Sequence, residues 1–201
     1  MTAPPARLIL ASGSPRRLRL LRSIGLELTA VAPDIDESPL DGEDPVAYVE
    51  RLAREKAAAV PAGADDVVVA ADTTVALDGE IVGKPIGAED ARRMLQALSG
   101  RSHDVHTGVA VRADGATRSA VATTRVTMTV MSEDDIAWYV GTAEPLDKAG
   151  AYAMQEGGGL LVASIEGSAS NVVGLPLALV AELLAEIGFP LGRFRGGSVL
   201  L

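Results

Sequence analysis

The chain has 201 residues, 48% of them hydrophobic and 22% charged, which suits a compact globular unit and excludes a disordered or collagen-like chain. Its formal net charge is −9, so nucleic-acid polymers and anionic membranes are excluded as partners held by the general field, while a small anionic ligand is permitted wherever the sign reverses locally. Cysteine is absent, leaving no disulfide framework, thiolate metal site or cysteine nucleophile, and the longest apolar run, Leu175 to Ala181, is far short of the ~20 residues of a membrane span. The expectation is a soluble, cytoplasmic protein.

Arg7 to Ala11 is a short apolar run stopped by Ser12, Gly13, Ser14 and Pro15, which predicts a buried strand and a turn. Ser14 before Pro15 reads as an N-cap and first helical position, opening a helix with Leu18, Leu21 and Ile24 inward and Gly25 as its stop. Leu26 to Ala32 alternates weakly as a second strand, and Pro33 to Pro45 is an acidic loop. Val46, Val49, Leu52, Ala53, Ala57 and Val60 mark a helix that ends at Pro61. Val67 to Ala71, apolar throughout, is the best candidate for a central strand.

Thr74 to Leu77, an Asp78-Gly79 turn and Glu80 to Val82 predict a hairpin, followed by a helix over Ala88 to Leu98. Val105 to Arg112 and Ala120 to Met131 alternate as two longer strands joined through Asp114-Gly115. Ser132 caps a short helix with Ile136, Tyr139 and Val140 inward. Leu160 to Ile165 is a last strand, Pro176 to Ile187 a closing helix, and residues 190–201 a loose tail. Alternating strands and helices mixed with hairpins predict an α/β chain with a mixed sheet in a single domain over 1–201.

The charge is segregated along the chain. Residues 1–26 hold Arg7, Arg16, Arg17, Arg19 and Arg22 without an acid, and residues 34–44 hold six acids without a base. Such a reversal is what a phosphate-and-metal site requires; two solvated faces would look the same.

Five segments bear chemistry. Ser12 to Arg17 is a strand-to-helix junction whose small residues, free N–H groups and paired arginines suit phosphate oxygens, although a plain capped helix has the same look. Asp72 follows the most apolar strand, where a carboxylate can hold Mg²⁺ or take a proton from water, or simply cap a turn. Lys84, between Gly83 and Pro85, is a fixed point charge that suits phosphate, although these three residues alone read more readily as a simple turn. Tyr152 and Gln155 combine a stacking ring with an amide able to read a base edge, although a packed loop fits the segment equally. Glu166 to Ser168 with Asn171 to Pro176 leads into the last helix and signals little alone. His103 and His106, the two histidines, lack a metal-ligand pattern and read as structural.

In order and spacing these segments resemble the Maf family of nucleoside triphosphate pyrophosphatases. The matching residues are 10–17 (LASGSPRR), 33–37 (PDIDE), 51–57 (RLAREKA), 71–73 (ADT), 83–85 (GKP), 98–101 (LSGR), 147–152 (DKAGAY) and 173–176 (VGLP), covering about 8–189. The resemblance implies a long mixed sheet flanked by helices, with two lobes around a deep cleft, similar to the inosine-triphosphate pyrophosphatases. It implies hydrolysis between the α and β phosphates to a nucleoside monophosphate and pyrophosphate, with a divalent cation (Mg²⁺ or Mn²⁺), and a homodimer. By position it makes Asp72, Glu37 and Lys84 catalytic, with Glu37 and Asp72 as metal ligands. Ser12, Arg16, Arg17, Lys56, Thr73, Tyr152 and Gln155 then bind substrate. Thr73 and Gln155 look like the branch acting on dTTP and UTP, although Glu156 stands where that branch commonly has glycine. The alternatives are a pyrophosphatase of the 7-methyl-GTP type and a nucleotide-binding regulator of cell division with little turnover.

Overall fold

A computed structural model describes residues 7–195. The sheet is organised by β3 (Asp66–Leu77), which is buried along nearly its whole length. On one edge β3 pairs in parallel with β1 (Arg7–Ala11), and β1 in parallel with β2 (Leu28–Val31). The opposite edge carries β5 (Ser102–Ala113), β6 (Ala116–Met128) and β7 (Val162–Glu166), all antiparallel, and β4 (Glu80–Val82) folds back on the end of β3. The result is a mixed sheet of seven strands. Both predicted hairpin turns form, with positive φ at Asp78 (54°) and Gly79 (84°) and at Asp114 (50°) and Gly115 (74°), a pattern that suits strand twist.

Helices α1 (Pro15–Ser23), α2 (Pro45–Ala59), α3 (Ala88–Leu98), α4 (Glu133–Gly141), α5 (Ala169–Val173) and α6 (Leu177–Glu186) flank the sheet. Strand alternation sorts them. Leu8, Leu10, Val67, Val69, Val109 and Val111 pack with Leu21 of α1 and with Val180, Leu183 and Leu184 of α6. Their neighbours Ile9, Ala11, Val68, Ala70 and Ala110 turn to Ala53 and Ala57 of α2. α2 crosses β5 so closely that a Cβ on Gly108 would lie 2.2 Å from the Val49 carbonyl oxygen. A third cluster, including Leu95, Leu98, Val105, Val126, Ile136 and Tyr139, joins α3 and α4 to the far halves of the long strands. The first two clusters make one lobe and the third makes the other.

Between the lobes, the edge of β3 is split. β1 accompanies it only to Ala11↔Ala70, and β4 joins the same edge at Val75↔Val82. Among the described residues, 71–74 therefore have no neighbour strand on that side, and Asp72, Thr73 and Thr74 line the cleft. This revises the expectation that Asp72 ends its strand. It lies mid-strand, but just past the carboxyl end of the parallel pairing, which preserves the logic that placed a ligand there.

Other differences are local. β2 is shorter than the expected Leu26 to Ala32, whereas β5 and β6 extend further toward their shared turn. Leu160 and Leu161 belong to a 3₁₀ turn (Gly157–Leu161) preceding β7, and α5 was not anticipated because its five residues are too few to show a period. Residues 191–194, inside the expected loose tail, are structured. Leu191–Phe194 forms a 3₁₀ turn, Phe194 is 4% exposed and stacks on Phe189, and Glu27 N–H donates to the Phe194 carbonyl. Both rings pack with the α1–α6 core cluster. Residues 196–201 lie outside the described residues. No helix among the described residues is long and apolar enough to cross a membrane.

Candidate active site

The split in β3 opens into a cavity of about 690 Å³. All ten residues singled out from sequence line it: Ser12, Arg16, Arg17, Glu37, Lys56, Asp72, Thr73, Lys84, Tyr152 and Gln155. With Lys148 and Asp147, its wall presents five cationic side chains against three carboxylates, in a chain whose net charge is −9. The local sign is thus reversed, as an anionic ligand requires.

Alternation along β3 builds the centre. Asp72 shares the face of Ala70 and turns toward α2, where Lys56 Nζ donates to its Oδ1 at 2.6 Å. The same ammonium lies 2.9 Å from Glu37 Oε1. Lys56 is buried by the α2–β3 packing, whereas the Glu37 side chain is half exposed on the loop before α2. Tyr48, one turn into α2, ties that loop down by donating its hydroxyl to the Glu37 carbonyl at 2.9 Å. Burial, with Asp72 and Glu37 nearby, pushes the Tyr48 phenol up to about 12, so it remains a donor.

Thr73 points the other way, toward α1. Its Oγ1 accepts from Arg17 Nη2 at 3.0 Å and lies 2.9 Å from the Thr107 hydroxyl. Arg17 also donates Nε to the Gly174 carbonyl (2.7 Å) and Nη1 to Ser12 Oγ (3.2 Å). Every one of these acceptors is neutral. Burial therefore lowers the Arg17 pKa, with Asp72 partly opposing the shift. Ser12 Oγ accepts the Ser14 N–H, and Ser14 Oγ caps α1 by accepting the Arg17 N–H, so the first turn of α1 opens at the cavity. Arg16 lines the wall beside it.

The opposite wall comes from the second lobe. Lys84 is exposed at the rim just after β4, and the preceding Gly83 carbonyl accepts the Gly150 N–H. Lys148 is buried against the Asp147 carboxylate and the Glu144 carbonyl. Tyr152 does not offer its hydroxyl to the cavity. That group is 2.8 Å from His103 Nε2, with the two rings edge to face, so only the phenol ring remains for a ligand. Gln155, exposed in the next turn, lines the wall with its amide uncommitted to other side chains among the described residues.

Residues 7–187 match the family described as Maf-like protein. The chain belongs to the Maf family. It is 57% identical over 189 residues to the dTTP/UTP pyrophosphatase of Anaeromyxobacter dehalogenans (strain 2CP-C), covering 92% of this chain and 96% of that protein. It is 53% identical over 192 residues to the dTTP/UTP pyrophosphatase of Myxococcus xanthus (strain DK1622), covering 95% and 97%. Among solved structures, a HAM1 protein from Coxiella burnetii superposes with a TM-score of 0.49 at 19% identity, over 90% of this chain and 99% of that one.

Within this Maf site, no group of three or more His, Cys, Asp or Glu side chains among the described residues is placed to hold a metal alone. Glu37 and Asp72 nevertheless converge on one point, the Lys56 ammonium. Two carboxylates completed by water and phosphate oxygens suit Mg²⁺ chemistry, so the donor set fits a cation that arrives with an anionic ligand. Sequence reading left Lys148, Tyr48 and Thr107 unassigned. Lys148 lies inside the 147–152 segment already singled out, and that was its available signal. Tyr48 and Thr107 act through tertiary contacts that leave no local pattern.

Of the five acids in the 34–44 block other than Glu37, the structure gives work to three. Glu43 binds Arg51 through both oxygens (2.6 and 2.7 Å), Asp44 caps α2 by accepting the Val46 and Ala47 N–H groups, and Asp36 accepts the Ser38 N–H.

Proposed function

We propose that this chain hydrolyses dTTP and UTP between the α and β phosphates, releasing the nucleoside monophosphate and pyrophosphate. One observation carries the reading: a cation-rich cleft centred on the Asp72–Lys56–Glu37 cluster, in a chain 57% identical to a protein named for that activity. The α1 N-terminus, Arg16, Lys84 and Lys148 receive the triphosphate and fix its orientation. Arg17 holds Ser12, Thr73 and Gly174 together and adds a buried positive charge beneath the phosphates. Asp72 is an acceptor-only group beside the phosphate path, suited to take a proton from the attacking water while Lys56 steadies it. Glu37 and Asp72 would hold the divalent cation, which supplies Lewis-acid stabilisation of the phosphoryl oxygens. Gln155 and the Tyr152 ring face the base.

The test is a panel of dTTP, UTP, 7-methyl-GTP and ATP, each with Mg²⁺ or Mn²⁺, assayed for pyrophosphate. Pyrophosphate release greatest from dTTP and UTP, and abolished by chelation, is the expected result. Inorganic phosphate as the first product, or preference for 7-methyl-GTP, overturns it.

A further inference from the structure

The turn that presents Gln155 is tied at both ends to a pair of residues outside the cavity. Before it, the Ala153 N–H donates to the Tyr139 hydroxyl at 3.0 Å. After it, the Gly157 and Gly158 N–H groups donate to Glu144 Oε2 and Oε1 at 2.9 and 3.0 Å. The pair is joined by the Tyr139 hydroxyl donating to Glu144 Oε1 at 2.7 Å. One carboxylate thus collects three donors, a load its two oxygens can carry and a neutral amide cannot.

We infer that Tyr139 and Glu144 are positioning residues for base recognition, fixing the Met154–Gln155–Glu156 turn in the orientation that favours a pyrimidine. The inference rests on the nucleotide reading above. Neither residue lines the cavity, so their side chains act on the ligand only through the turn. Tyr139 is fully buried between α4 and the second-lobe core, which gives the anchor a fixed origin. Burial and the adjacent Glu144 raise the phenol pKa, so the hydroxyl keeps its proton and its role as donor.

Packing confirms how closely the turn is held. A Cβ on Gly158 would lie 2.5 Å from the Tyr139 hydroxyl, and one on Gly159 would lie 2.6 Å from the Met154 carbonyl oxygen. The Glu144 carbonyl also accepts from Lys148 Nζ at 3.4 Å. One residue therefore sets the base-side turn through its side chain and a cationic wall residue through its backbone. Replacing the carboxylate by an amide alters only the first of these.

The experiment compares kcat/KM for UTP with that for ATP in the wild type, Glu144→Gln and Tyr139→Phe, alongside inhibition by inorganic pyrophosphate. Glu144→Gln leaves one acceptor where three donors converge and is expected to lower the UTP-to-ATP ratio roughly tenfold, with pyrophosphate inhibition unchanged. In a Gln155→Ala background, Glu144→Gln should leave the ratio where Gln155→Ala already put it. Tyr139→Phe reads the same ratio should Glu144→Gln fail to fold. An unchanged ratio with an equal loss for both nucleotides, or weaker pyrophosphate inhibition in step with the loss, overturns the positioning role. A wild type that prefers UTP while both variants keep its ratio defeats this inference alone. A wild type releasing no pyrophosphate from either nucleotide defeats the parent reading and this one with it.

Discussion

Lys56 and Asp72 form a buried ion pair across the α2–β3 interface, 2.6 Å from Nζ to Oδ1, with each side chain under a tenth exposed. Breaking such a pair from one side leaves a charge without its partner in a poorly solvated place. Lys56→Met strands Asp72 and is expected to cost about 3–5 kcal/mol. Asp72→Asn costs less, because Lys56 keeps Glu37 at 2.9 Å. The double variant should recover part of the Lys56→Met loss. Urea unfolding midpoints of the three proteins and the wild type check this order, and single-variant losses that simply add in the double variant would show that the pair is energetically silent.

Asp72→Asn also separates binding from chemistry. It removes the proton acceptor and a repelling negative charge while keeping the shape and the Lys56 hydrogen bond. Turnover should fall by at least ~10²-fold, with the calorimetric affinity for a non-hydrolysable UTP analogue retained or improved. Near-normal turnover in the purified variant contradicts the role assigned to Asp72.

Arg17 differs from Arg16 in what its charge is for. Its guanidinium spans three neutral acceptors on three separate segments: Ser12 before α1, Thr73 on β3 and Gly174 after α5. A lysine carries the charge but cannot reproduce that planar fork. Arg17→Lys is expected to lower stability by about 1–3 kcal/mol and to raise KM, whereas Arg16→Lys changes KM with little effect on the melting temperature. Equal melting temperatures for the two variants would refute this division of labour.

The helices α1, α2 and α4 were legible because their signals are local: Ser14 before Pro15, the apolar spacing from Val46 to Val60, and the capping residue Ser132. The hairpins were legible for the same reason, since Asp-Gly pairs fit their φ values. The split edge of β3 was not legible. It depends on where β1 stops and β4 starts, and neither leaves a mark at Asp72. The site residues were found as separate fragments, but their joints are tertiary. Arg17 reaches Gly174 across 157 positions, and Lys56 meets Asp72 only because α2 lies on the Ala70 face of β3. Tyr139 reads as an inward helix residue and Glu144 carries no sequence signal, because hydrogen bonds to 3₁₀ turns have no sequence period.

Gln155→Ala tests the base-side assignment directly. The amide is exposed on the cavity wall, so its loss should leave folding unchanged. The kcat/KM for dTTP and UTP is expected to fall about 5- to 30-fold, with a smaller change for ATP. A uniform loss across all bases would move Gln155 to the phosphate side.

Acid stability should report His103. Burial pushes its pKa down to about 4, Asp104 opposing only partly, and its Nδ1 has no hydrogen-bond partner among the described residues. Unfolded, it titrates near ~6.5. Above that value both states are neutral and the native state is at full advantage. As pH falls from ~6.5 toward 4, the unfolded chain takes up a proton that the native chain refuses, so stability drops by up to about 3 kcal/mol and then levels off. His106, also pushed down by burial, adds to the same slope. Asp66, held below its usual range by Arg7 and by the Gly63 N–H, loses its contribution only at lower pH, below ~3.8. The histidine window is therefore separable. His103→Gln removes the titration while keeping a polar partner for Tyr152. Its unfolding free energy should vary less between pH 6.5 and 4.5 than that of the wild type, measured by urea unfolding at each pH. Identical pH profiles would mean that His103 takes up its proton as readily folded as unfolded.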